Sequence, residues 1–407
     1  MSINRIGMMG FGPVGRSPIA ALALGCVALC LARAAAGAGD AAGDGAWPEP
    51  KQILVWSQER RLRAFSDYAG IFPTRAVRSG GRAYPLPRAP RDLSALYYEL
   101  DGRRYGLDDF VRETRVAGLI VVHRGQVLHE RYELGNGPST RWVGYSVAKS
   151  VVSLLYGAAV AEGYIERLSD PVVRYLPRLA GGAYDRVTVE QLLKMSSGVG
   201  WDEDYEDPQA DVSQSPIAIL PFLDYMRALP TAAPPGARFN YSTGETSLAG
   251  AVLRAAIGNN LATYLTHRIW QPFGMEADAN WMIGAPGGGE YGGCCISATL
   301  RDYARIGLFA LNGGSAPDGR RLLPEGWMAR STAPADTNPG YGYFWWLRPD
   351  GAYAALGIFG QAIWIDPRSE TVIAIHSAWP RATDARLSAH RWGLVEAIGT
   401  ALAAADS

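Results

Sequence analysis

One stretch limits what this 407-residue chain can fold into more than any other. Between Ser146 and Ala161, Val147, Val151, Leu154, Leu155, Ala158 and Ala159 recur at helical spacing, which predicts a helix buried over a wide face. Such a helix needs a large core around it. A chain of this length, 48% apolar and 19% charged, can supply one as a single large domain or two intimate lobes. Into the first turn of this apolar helix the sequence puts Lys149, one of only three lysines (with Lys51 and Lys194) among 39 basic residues. Arginine-rich codon usage accounts for the bias itself; the position of Lys149 is the informative part.

Arginine stays protonated in proteins, whereas a buried lysine can lose its proton and serve as a base. Ser146 stands three residues earlier, in Gly144-Tyr145-Ser146-Val147-Ala148-Lys149-Ser150. On a helix, residues three apart share a face, about 5–6 Å apart at Cβ. The serine would also sit at the helix start, where unpaired N–H groups favour negative charge. That combination is a nucleophile beside its activator. The plain alternative is a solvated surface pair, and the apolar neighbours argue against it. A second element lies downstream, in the turn-rich segment Phe239-Asn240-Tyr241-Ser242-Thr243-Gly244. A tyrosine hydroxyl near a lysine can act as phenolate base or proton shuttle. Ser242 or Thr243 as a helix N-cap, with Tyr241 as a packing residue, is the bland reading and is compatible with the first.

Zero formal net charge and the lack of a basic run argue against nucleic acid as a partner. Five scattered histidines and two pairs of cysteines give no zinc spacing, so neither metal nor cofactor is expected. At the N-terminus, Arg5 and Arg16, the apolar run Ile19–Leu31 and the small residues Ala34–Ala38 fit a signal peptide over 1–38 and an exported, periplasmic or secreted, protein. The run is short for a membrane anchor. It also continues past Cys26, which disfavours a lipoprotein. The mature chain then keeps only Cys294 and Cys295, adjacent residues that are expected not to pair.

Residues 39–113, with a Pro-containing acidic start and no clear period, read as a linker and an irregular extension wrapping the outside. The domain proper is expected over 114–405. Ala117–His123 and Gln126–Tyr132 alternate as a hairpin about Arg124-Gly125. Thr188 is a plausible cap for a helix over the following residues, and Ser247–Ile257, Asn260–Trp270 and Ala298–Leu311 look helical. Ser196–Gln214 is a long polar loop of the kind that carries function. Strands over 360–365 and 371–376 precede a final helix over 384–404. Strands from both chain ends with helices between them predict an α+β fold, an α/β sandwich whose central antiparallel sheet is flanked by helices.

The motifs Ser146-Val147-Ala148-Lys149 and Tyr241-Ser242-Thr243, in this order, resemble those of the penicillin-recognising serine hydrolases: class C β-lactamases, DD-peptidases and related esterases and amidases. Gln191–Gly198 and Gly292–Gly307 add context over roughly residues 110–405. Within the family, Trp201–Pro208 and Leu356–Gln361 look most like the 6-aminohexanoate-dimer hydrolases. The resemblance implies a β-lactamase-like fold with a mostly helical lobe. It also implies acyl transfer on a small amide or ester, with Ser146 as nucleophile and Lys149 and Tyr241 as base and proton shuttle. The N–H groups of Ser146 and Ile358 would form the oxyanion hole. Tyr205, Gly357, Trp345 and Trp346 are candidate substrate contacts, with ordinary packing the alternative for the tryptophans. The departure is in the third motif, where Ala355-Leu356-Gly357 stands for Lys-Thr-Gly and argues against penicillin as the substrate. Two other readings are an α/β-hydrolase, with Gly144–Ala148 as a near-elbow and His376 or His390 as base, and a catalytically silent penicillin-binding-like protein.

Overall fold

The structure, a computed structural model, describes Trp47 and residues 49–405. The expected signal peptide over 1–38 lies outside the described residues. Six strands form the main antiparallel sheet: β1 (Val116–His123), β2 (Gln126–Tyr132), β3 (Trp346–Leu347), β4 (Tyr353–Leu356), β5 (Ala362–Asp366) and β6 (Thr371–Ser377), in the order β2-β1-β6-β5-β4-β3. The two ends of the chain meet where β1 pairs with β6. The sheet is covered on both faces, which explains why its strands read as near-continuous apolar runs. Alternate residues go to opposite cores. Ile120, Val122 and Val372 face one, and Leu119, Val121 and Ile373 face the other.

Four helices frame the site: α1 (Val147–Ala161), α2 (Thr243–Ile257), α3 (Leu300–Leu311) and α4 (Ala385–Ala405). On one face α3 packs against β5 and β6; on the other Leu394, Val395 and Ile398 of α4 join the second core. Residues Val147 to Ala159 of α1 are all buried, so the helix is enclosed on every side rather than on one wide face. Its neighbour α2 begins at Thr243, four residues before the sequence suggests, because Ser242 caps it by accepting from Glu245 N at 3.0 Å. Polar residues in that first turn hide the helical start from a hydrophobic pattern. Thr188 and Thr299 cap helices in the same way.

The N-terminal region differs from expectation. Residues 49–113 carry helices Gln58–Ser66 and Leu107–Glu113, strand Thr74–Val77 and the hairpin Tyr97–Leu100/Arg103–Gly106. Thr74–Val77 is an edge of a second antiparallel sheet, followed by Ala279–Met282, Ile296–Ala298 and Trp142–Val143. Phe65 is fully buried and lies edge-on to Trp142 and Tyr145, with its ring 5.2 Å from that of Phe359. The segment is therefore part of the core beneath Ser146. Its apolar residues are spaced too irregularly, between short elements, to show a period. Truncation of Phe65 to alanine is expected to cost about 3–5 kcal/mol, the range for a fully buried phenylalanine. Urea unfolding monitored by circular dichroism measures it, and a loss below about 1 kcal/mol would put this segment outside the core after all.

Candidate active site

The turn before α1 is held from two sides. Gly144 N donates to Ile296 O (2.9 Å) and Cys295 N donates to Tyr145 O (3.2 Å). Tyr145 adopts φ 46°, an uncommon conformation for a bulky residue, and it delivers Ser146 to the helix N-cap position. Lys149, 1% exposed, donates from Nζ to Ser146 Oγ (3.1 Å), Thr243 Oγ1 (2.9 Å) and Gly293 O (2.6 Å). Burial brings its pKa down from the ordinary 10.5 to about 8, against the opposing pull of Glu203. Once Lys149 is deprotonated, its two remaining N–H groups suffice for Thr243 and Gly293, and its lone pair faces the serine hydroxyl.

Thr243 links the amine to a carboxylate. Its hydroxyl donates to Glu203 Oε1, and its backbone N–H donates to Glu203 Oε2 at 2.8 Å. Glu203 also accepts from the Tyr205 hydroxyl (2.6 Å) and from Trp201 Nε1. The Tyr241 ring centroid lies 5.3 Å from Lys149 Nζ, and the ring stacks on Trp346 (5.5 Å, 29°). Burial, and secondarily the charge of Glu203, push the Tyr241 phenol well above its ordinary pKa, while its hydrogen bond with Ser146 acts the other way. This tyrosine is therefore a neutral phenol that can pass a proton rather than a standing phenolate.

The opposite lip is the end of β4. A Cβ on Gly357 would lie 2.2 Å from Gly144 O, so only glycine lets this strand come so close to the Ser146 turn. Ile358 follows and lines the same cavity as Ser146. Phe359, at φ 59°, turns the chain back. The fully buried Gln361 fixes that turn. Its amide donates to Ser377 O (2.7 Å) and Phe359 O (3.2 Å), and its carbonyl accepts from Ser377 N and Trp142 Nε1, both at 3.0 Å. One side chain thus ties the loop bearing Ile358 to β6 and to the strand that leads into Ser146.

Comparison with known proteins agrees with this geometry. The β-lactamase family model matches residues 107–396. The chain belongs to the β-lactamase family. It is 30% identical to the 6-aminohexanoate-dimer hydrolase of Paenarthrobacter ureafaciens over 354 residues, covering 80% of this chain and 87% of that one. It is 31% identical to esterase EstB of Burkholderia gladioli over 211 residues, 46% of this chain and 52% of that protein. A solved structure described as a candidate 6-aminohexanoate-dimer hydrolase from Bacillus anthracis superposes with a TM-score of 0.78 at 23% identity. That match covers 88% of this chain and 99% of the other, and it shows the shared fold. The chain is thus a serine hydrolase of the β-lactamase family with amidase and esterase relatives, which removes the α/β-hydrolase reading. His376 and His390, the bases that reading needed, are buried away from the Ser146 cavity.

Within this family fold, Ser146, Lys149 and Tyr241 come together, and Tyr205 and Ile358 line the cavity beside them. Three expected substrate contacts, Trp345, Gly357 and Trp346, do not line it. Trp345 is fully buried, edge-on to Tyr353, as a core residue, and Gly357 acts through its lack of a side chain. Trp346 stands behind Tyr241. Cys294 and Cys295, expected to be unpaired, form a disulfide between adjacent residues, with Cys295 at φ 77°. Glu203, Thr243, Gly293 and Gln361 were not singled out as site residues, although each falls within a segment that carries the family resemblance: Trp201–Pro208, Tyr241–Thr243, Gly292–Gly307 and Leu356–Gln361. Gly357→Ala is expected to lower kcat roughly 10²-fold, the usual effect of displacing a reacting group by about an ångström. Steady-state kinetics with the circular dichroism spectrum as a folding control tests this, and unchanged kcat would show that the close approach is dispensable.

Proposed function

We propose that this chain is an exported amidase or esterase working through an acyl-enzyme on Ser146. The observation that carries the reading is the buried Lys149 amine 3.1 Å from Ser146 Oγ, with its pKa lowered toward neutrality. Neutral Lys149 takes the serine proton as Oγ attacks the carbonyl carbon. The N–H groups of Ser146 and Ile358 receive the oxyanion. Tyr241 relays the proton to the leaving nitrogen or oxygen, and water then releases the acyl group by the reverse route. Ser146→Ala is expected to abolish turnover and covalent labelling by a fluorophosphonate probe. Lys149→Arg is expected to be nearly as damaging as Lys149→Ala, because charge survives in it and basicity does not. The free-base fraction of Lys149 rises with pH, so kcat/KM should climb through an apparent pKa near 8. A profile that is flat or falls between pH 6 and 10 would remove Lys149 as the base.

Amide or ester hydrolysis is favoured over β-lactam hydrolysis by the third motif. Ala355 is fully buried and Leu356 half-buried, where the motif's Lys and Thr would meet a carboxylate. Arg386 lies near Tyr105 and Glu113, and Arg381 is exposed beside Glu206; neither lines the Ser146 cavity. A carboxylate brought to this strand loses water without a charged partner, about 1–3 kcal/mol or more. The expected order of kcat/KM places p-nitrophenyl butyrate or a linear amide at least tenfold above nitrocefin; nitrocefin as best substrate would return the protein to β-lactam hydrolysis. Export is supported by the apolar run Ile19–Leu31 behind Arg5 and Arg16 and by the small residues that follow it. N-terminal sequencing of the mature protein is expected to begin after Ala36 or Ala38.

A further inference from the structure

The cavity beside Ser146 has walls of two origins. Tyr205, Ile217 and Met282 come from the helical lobe and the second sheet. Ile53, Leu54, Tyr68 and Phe72 come from the N-terminal segment, which reaches the cavity over the buried Phe65. Among the described residues that line it, none is charged. The charged groups closest in the hydrogen-bond network are already committed. Lys149 and Glu203 are joined through Thr243. Arg61 packs over the Phe359 ring and gives its guanidinium to Leu54 O, Trp56 O and Pro380 O. Tyr145 contributes an uncharged ring to the lining, and its hydroxyl is buried without a protein partner among the described residues.

We propose that this cavity is a neutral acyl pocket: it takes an uncharged, mainly apolar chain, and the N-terminal segment Ile53–Phe72 is the wall that sets how long that chain can be. An ammonium or carboxylate carried into it gives up hydration and finds no counter-charge, which a buried ion does not tolerate. An apolar chain gains from the same surface. Linear substrates with a charged end in this pocket are therefore rejected, and neutral acyl groups are selected. The inference rests on the Ser146 acyl-transfer reading and adds the substrate class to it.

Three matched p-nitrophenyl esters test the charge rule: hexanoate, 6-aminohexanoate and the monoester of adipic acid. Hexanoate is expected to exceed both charged esters at least tenfold in kcat/KM. Ile217→Asp, at a half-buried lining position, should raise the 6-aminohexanoate to hexanoate ratio at least tenfold. Leu54→Trp, also half-exposed, should lower the hexanoate to acetate ratio at least fivefold by filling the far wall. Wild-type preference for a charged ester, or an unmoved ratio in either folded variant, overturns the neutral pocket or its N-terminal wall respectively. Mass spectrometry of Ser146 separates the two levels. Acylation of Ser146 with the wrong selectivity sinks this inference alone. No acylation and no turnover of any ester sinks the proposed function, and this inference with it.

Discussion

The burial of one amine organises the rest of the structure. Lys149 sits among three oxygens contributed by three separate parts of the chain: Ser146 at the start of α1, Thr243 at the start of α2, and the Gly293 carbonyl in the turn before Ile296. Each acceptor is itself fixed. Ser146 is held by the turn through Gly144 and Tyr145, Thr243 by Glu203, and Gly293 N by Ser247 Oγ. The fall of the lysine pKa to about 8 corresponds to roughly 3 kcal/mol in favour of the neutral amine. The surrounding fold bears that cost by enclosing α1 on all sides, and in return a base is available close to neutral pH.

The other half of the site depends on contact distance rather than charge. Gly357 against Gly144 O sets the gap between the Ser146 turn and the end of β4. Gln361, with every polar atom occupied, keeps the following loop from relaxing. Phe65 fills the space beneath both, its ring 5.5 Å from that of Tyr145 and 5.2 Å from that of Phe359, which themselves lie 5.4 Å apart. Both aromatics adopt positive φ, Tyr145 just before Ser146 and Phe359 just after Ile358. Local backbone strain at both lips is thus held in place by one buried ring.

Helix α1 and its serine and lysine were readable because a charged residue in an apolar periodic run is an anomaly whatever surrounds it. The sheet was readable because strands buried on both faces leave long apolar runs near each end of the chain. Glu203 was not, since its value comes from meeting Thr243 forty residues later, and acidic loops are common. The N-terminal segment escaped for the opposite reason: its buried residues are contributed singly by short elements, and single apolar residues carry no period. The Cys294–Cys295 bond was misread because adjacency argues against pairing in general, and the backbone turn at Cys295 that permits it is invisible in sequence. Trp345 was misassigned because an aromatic pair near a site looks the same whether it faces the cavity or the core.

The contacts of the N-terminal segment also set an order of assembly. Gln58 donates to Ala378 O and Arg61 to Pro380 O, partners more than 300 residues away along the chain. A ribosome makes these first residues long before the groups they need. During synthesis Trp142 and Tyr145 become available to the segment first, whereas Phe359, Ala378 and Pro380 follow only with the last strands. Closing loops of this length is slow relative to local helix formation. A chain that lacks its C-terminal strands therefore carries Ser146 and Lys149 without the full support of the turn that holds them.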